Sequence, residues 1–110
     1  QPLVAAKRRE IERIEAERED LARRIAQEAD VMLADLRAMD AMHARLAGGG
    51  MQLAGERVAL VTASYQAGRA DLGAVLAART QALDTRMKVI ELDAQRAAMR
   101  VKLAALVAEE

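Results

Sequence analysis

The sequence predicts an all-α fold, a long antiparallel helical hairpin of coiled-coil type whose first helix is longer than its second. Three observations carry this. The 110 residues are dominated by Ala, Arg, Glu, Leu, Met and Gln, the side chains that lose least on entering a helix. Pro2 is the only proline, so nothing beyond the N-terminus breaks the chain sterically. Apolar residues recur at heptad spacing through both halves. With no Phe, no Trp and one Tyr, the chain lacks the large rings that close a compact core, and its length allows one domain at most.

The first helix is expected over about residues 3–67. Val4, Ile11, Arg18, Ile25, Met32, Met39, Leu46, Leu53 and Leu60 stand seven apart, and only Arg18 breaks the apolar series. Ile14, Leu21, Leu36 and Met42 widen the stripe, while Glu10, Glu12, Arg13, Glu15, Glu17 and Glu19 take the solvated side. Gly48-Gly49-Gly50 interrupts the series, and each glycine weakens a helix by about 1 kcal/mol relative to Ala. Because Leu46 and Leu53 keep phase across the triplet, the register favours a continuous but weakened helix over a true break, with close approach of a neighbouring helix as another use for glycine.

The reversal is expected at Ser64–Asp71, with the turn at about 68–71. Gly68 suits the left-handed residue that ends a helix, and Asp71 can accept hydrogen bonds from the free N–H groups that begin the next. So short a connection lays the two helices antiparallel and adjacent. The second helix, about residues 72–108, carries two apolar rows. Leu76, Leu83, Ile90, Ala97 and Ala104 form one; Val75, Ala82, Val89, Leu92, Met99, Leu103 and Leu106 form the other. One partner cannot cover both, so such a helix is central in a bundle or a stave in a closed ring of helices.

At about 1.5 Å per residue the first helix spans on the order of 95 Å and the second about 55 Å. Folding back brings Glu110 only to the neighbourhood of Glu28. Leu3–Gln27 therefore has no partner within the chain, and another copy or a further part of a parent protein is expected to cover it.

Several classes are disfavoured. Seventeen basic and seventeen acidic residues are interleaved, so no sustained positive field favours nucleic acid. Cysteine is absent, which removes disulfides and thiolate metal sites and fits cytoplasm and periplasm equally. No transmembrane run or leader peptide is visible, and a start at Gln1-Pro2 suggests a mature or excised fragment. No catalysis is expected: His43 and the single serine, Ser64, lie about 30 Å apart along one helix. Met39, Asp40, Met42 and His43 could contact a soft metal, but Met39 shares the heptad position of Ile25 and Leu46 and should pack near Met99. No metal or cofactor site is assigned. Tyr65, the sole aromatic, either contacts another protein together with Arg69 or packs over the turn against Leu72.

The run Ala63–Arg79, in which Tyr65 is followed by Gly68, Leu72 and Val75-Leu76-Ala77-Ala78, resembles the helix-turn-helix tip of the TolC-type outer membrane efflux proteins. Ala54–Leu60 and Ala5–Arg8 are similar to the heavy-metal (cobalt-zinc-cadmium or copper-silver) branch of that family. The resemblance covers nearly all of residues 1–110, but its specific part is the tip. It implies one periplasmic hairpin of a trimeric outer membrane channel, opened where its tip meets a periplasmic adaptor and an inner membrane pump. The parent would be membrane-embedded and this segment soluble, forming conduit wall. Tyr65, Gly68, Arg69, Leu72, Val75 and Leu76 match the tip motif and, with Asp71, would form the gate or adaptor contact. Some relatives carry acidic residues just after the turn, where this chain has Ala74 and Ala77, so an acidic ring at the aperture is not implied. The rival reading is a coiled-coil interaction module, such as an adaptor hairpin or scaffold.

Overall fold

The computed structural model describes residues 2–108 and is an elongated hairpin, 97 Å long and 20 by 15 Å in section. Its first arm is α1 (Pro2–Arg45), a single π-helical turn (Leu46–Gly50) and α2 (Met51–Gln66); α3 (Leu72–Ala108) returns along it. The first arm has 65 helical residues and the second 37, and the described residues contain no strand. The arms start and end within a residue or so of the expected positions.

The two arms meet along one seam. On α3 the covered positions Val75, Ala78, Ala82, Thr85, Val89, Leu92, Arg96, Met99, Leu103 and Leu106 alternate by three and four without interruption, with Ala74 covered beside Val75 at the turn. This is the heptad pattern that keeps a seam facing one partner. Of the two apolar rows in the second helix, the one containing Val75 and Leu92 therefore forms the seam, with those two side chains only 5% and 3% exposed. The other row lies open: Leu76, Leu83 and Ile90 are each more than half exposed, as are Met87 and Val101 beside them. Two helices share one contact line, so the second face finds nothing to pack on among the described residues.

The first arm departs from the expected register, and the cause is the glycine triplet. From Ile25 to Gly50 the covered positions step by four and three through Ala29, Met32, Leu36, Met39, His43 and Leu46, but beyond it they continue at Ala54, Val58 and Val61. Leu46 and Ala54 are eight apart, not seven. The π turn absorbs one extra residue, which rotates the downstream helix by about 100° relative to an unbroken heptad. Leu53 and Leu60, expected in the seam, consequently face outward at 66% and 69% exposure. The helix is continuous as anticipated, but it does not preserve the phase that suggested continuity.

The glycines fit this turn unequally. The N–H of Met51 reaches back five residues to the Leu46 carbonyl, the hydrogen bond that defines a π turn. A Cβ on Gly50 would lie 3.2 Å from the Arg45 carbonyl oxygen, whereas one on Gly48 or Gly49 would meet nothing within 4 Å.

Beyond α3 the first arm continues alone. Leu106 lies beside Glu28 and Met32, close to the expected end of overlap, and residues 2–19 are all exposed. Leu3, Val4, Ile11, Ile14 and Leu21 are uncovered there. The overhang is laced by exposed i,i+3 and i,i+4 pairs, Arg13 with Glu10 and Glu17 and Arg24 with Asp20, each contributing roughly 0–1 kcal/mol.

Face assignment is testable at two sites. Leu92→Ala should lower the unfolding free energy by about 2–5 kcal/mol, and Leu83→Ala by no more than about 0.5 kcal/mol at concentrations where the chain is monomeric, both read from urea midpoints. At the π turn, Gly49→Ala should raise stability by about 0.5–1 kcal/mol, while Gly50→Ala gains less or loses because its methyl crowds the Arg45 carbonyl. Equal gains at the two positions in thermal melts would contradict the assigned geometry.

Candidate functional site

The closed end of the hairpin holds the residues singled out from sequence. Among the described residues Gly68 alone has a positive φ, 74°, and its N–H donates to the Tyr65 carbonyl at 3.0 Å while Arg69 N–H donates to the Ser64 carbonyl at 2.8 Å. This pair of bonds is the Schellman ending, in which a left-handed glycine satisfies the last carbonyls of a helix. Any residue with a Cβ is strained at that φ. Asp71 starts α3: its Oδ1 accepts the Ala74 N–H at 2.8 Å, the N-cap role anticipated for it.

The tip residues divide by direction. Tyr65, 43% exposed, stands with Leu72 and Leu76 on the open surface, and Gly68, Arg69 and Asp71 are also exposed. Val75 is different, because its side chain is buried between the arms and supports the tip by packing. The reversal therefore offers an aromatic ring, two leucines and a guanidinium held on a rigid turn. That combination suits a protein contact and contains no nucleophile–base pair.

About 40 Å along the hairpin from the turn, a polar layer interrupts the apolar seam. Arg96 occupies a seam position, and its guanidinium bonds both Asp40, at 2.5 Å, and Asp93, at 3.1 Å. His43 Nε2 lies 2.7 Å from Asp93 Oδ1, and Arg100 reaches Asp40 at 3.3 Å. His43, considered above for metal contact, is thus engaged with a carboxylate of the opposite arm. Met39 is half-buried and lines the same groove as Leu92, while Met99 shares a groove with Met32. Among the described residues no group of three or more His, Cys, Asp or Glu is placed to hold a metal ion. Sequence reasoning found His43 and Asp40 but missed the layer. Its signal was present: Arg96 falls seven residues after Val89 and seven before Leu103 in the buried row.

The hairpin has two unlike flanks. On one, Arg79 and Arg86 border a groove of about 400 Å³ with Met51, Gly55 and Val58 across it. On the other, Lys88 and Gln95 face Asp35 and Met42. No helix among the described residues is long and apolar enough to cross a membrane. Compared with protein-family models, curated proteins and solved structures, the chain matches none.

The polar layer should fix register more than it stabilises. Arg96→Met leaves Asp40 with Arg100 and Asp93 with His43, so the melting temperature should stay close to that of the parent chain. Spin labels at Gln27→Cys and Ala105→Cys should then report a broadened distance distribution by pulsed EPR. A distribution as narrow as the parent's would remove the layer's register role.

Proposed function

We propose that this chain is a periplasmic hairpin of a TolC-type outer membrane efflux channel, forming part of the wall of an export conduit, with no covalent chemistry of its own. The supporting observation is the two-faced α3. At about 100° per residue, the midline of the Val75–Leu92 seam and that of the exposed Leu76–Leu83–Ile90 row lie about 130° apart. A stave in a closed ring needs a contact face toward each of its two neighbours, and α3 carries two such apolar faces. In this reading a neighbouring hairpin covers the open row and further parts of the parent cover the apolar overhang.

The tip is then the place where an adaptor and the inner membrane pump act on the channel. Tyr65, Arg69, Leu72 and Leu76 offer the contact, while Gly68, Asp71 and Val75 hold its shape. The heavy-metal branch is a finer assignment resting on the sequence resemblance of Ala54–Leu60 and Ala5–Arg8.

In the full-length parent, Tyr65→Ala/Arg69→Ala should weaken cross-linking to the adaptor and lower export-dependent resistance, with the parent's abundance in the outer membrane unchanged. Undiminished cross-linking and resistance would overturn the tip assignment. An adaptor hairpin, the rival reading, would show itself by β-rich segments flanking the hairpin in the gene.

A further inference from the structure

We infer that the open row of α3 docks on an outer row of the first arm in a second copy of this chain, so that hairpins associate side by side with their tips level; this contact belongs to the hairpin itself and does not rest on the conduit reading above. On α3 the row is Leu76, Leu83, Ile90, Ala97 and Ala104, all exposed. On the first arm Val31, Ala38, Arg45, Leu53 and Leu60 are likewise exposed, and the π turn takes up the eight-residue step from Arg45 to Leu53. The skip that removes Leu53 and Leu60 from the seam thus sets them in line with Val31 and Ala38.

Direction selects the partner. At about 100° per residue, each row lies about 130° from the midline of its own arm's seam. The α3 row turns toward the flank of Arg79 and Gly55, and the first-arm row toward the flank of Asp35 and Lys88. Equal turns toward opposite flanks leave the two rows pointing in opposite directions across the hairpin. A second copy shifted sideways without rotation therefore sets its first-arm row against α3. Repeated, this one heterologous contact covers both rows, whereas a two-fold pairing of α3 with α3 leaves the first arm's row open.

Height and charge fit the same shift. Residues level with one another across the seam have numbers adding to about 136, as His43 with Asp93 and Asp40 with Arg96. By that rule Leu76 is level with Leu60 and Leu83 with Leu53, while Ala97 and Ala104 fall within about 1.5 Å, one residue, of Ala38 and Val31. Ile90 meets Arg45, whose stem lies along an apolar neighbour while its head stays in water. Arg79 stands about 50° from the α3 row and Glu56 about 50° from the first-arm row. In the shifted pair these two lie on the same side of the contact and within a residue of the same height. Neither makes an ion pair among the described residues, and Glu56 accepts only a long bond from Gln52, at 3.4 Å. The second copy supplies each with the opposite charge its own hairpin lacks.

Size sets the strength. The paired rows run for about 28 residues, roughly 42 Å, and a band about 10 Å wide buries on the order of 400 Å² per partner, half of the roughly 800 Å² of a stable interface. A single contact is therefore weak, and repetition along a line or ring of copies strengthens it.

Because the chain has no cysteine, disulfide trapping at high protein concentration tests the contact. Ala97→Cys and Ala38→Cys change exposed positions, and circular dichroism should show both variants as helical as the parent chain. Mixed and oxidised, they should give the mixed dimer, with little dimer from either alone. Adding Arg79→Glu to the Ala97→Cys chain should lower the mixed-dimer yield about two- to fivefold, and adding Glu56→Arg to the Ala38→Cys chain should restore it. No mixed dimer, or dimer formed as readily by Ala97→Cys alone, would overturn the side-by-side contact. A yield that ignores Arg79→Glu, or that Glu56→Arg fails to restore, would overturn the pairing of the two charges and with it the proposed level of the copies.

Discussion

The fold depends on one constraint: two helices share a single line of contact, and each side chain on α3 is either on that line or off it. Val75, Ala78 and Leu92 are on it, and with Leu36 from the first arm they form the interior found among the described residues. A two-helix section is too thin to bury more, because a covered side chain touches one partner rather than the six to twelve residues that surround a core residue. Leu83, Met87 and Ile90 remain in water as a direct result. Contiguous apolar rows of this length are not left exposed without a use.

The π turn shows how a local irregularity resets a long-range pattern. One residue absorbed at Leu46–Gly50 takes Leu53 and Leu60 out of the seam and brings Ala54, Val58 and Val61 in. The replacement seam is small and β-branched where the original would have been leucine, and Thr62, Ser64, Ala74 and Ala78 continue it to the turn. Small residues let the arms stay close as they approach the reversal. The displaced leucines gain an outward position on the side opposite Arg79 and Arg86. Read as a coiled coil, the arm contains a skip; read as a stave, it contains a device for moving apolar surface from the hairpin's own contact to its exterior.

The parts legible in the sequence were those governed by local chemistry. Gly68 and Asp71 announced the reversal because a left-handed glycine and an N-cap carboxylate act within a few residues, and the hydrogen bonds fall where they were expected. The two rows on the second helix were legible as rows, yet composition could not say which was inside, since Leu76, Leu83 and Ile90 are as apolar as Val75, Val89 and Leu92. What decided it was the partner: the continuous seam includes Thr85 and Arg96, which apolar counting passes over. The skip was illegible for a related reason. Leu53 and Leu60 satisfy a seven-residue repeat on paper, and only the five-residue hydrogen bond at the glycines moves them away. The polar layer needed two arms in register before Asp40 and His43 could be seen to answer Arg96 and Asp93.

Charge placement separates what the hairpin needs from what it carries for another purpose. Asp40, Asp93, Arg96 and Arg100 each have an opposite charge within reach and His43 has the Asp93 carboxylate, which is how a half-buried ionic layer avoids stranding a desolvated group. An acidic residue in place of Gly55 or Thr62 would extend the same matching toward the tip and contribute up to about 1 kcal/mol for each arginine paired. The chain instead has a glycine and a threonine whose buried Oγ1 finds no hydrogen-bond partner. Stability of the hairpin therefore does not account for Arg79 and Arg86. Their long side chains lie along an apolar groove with Leu83 at its rim, so the open apolar row and the unmatched charges meet at one edge. A neighbour packed on Leu83 would cover the row and border the two guanidiniums.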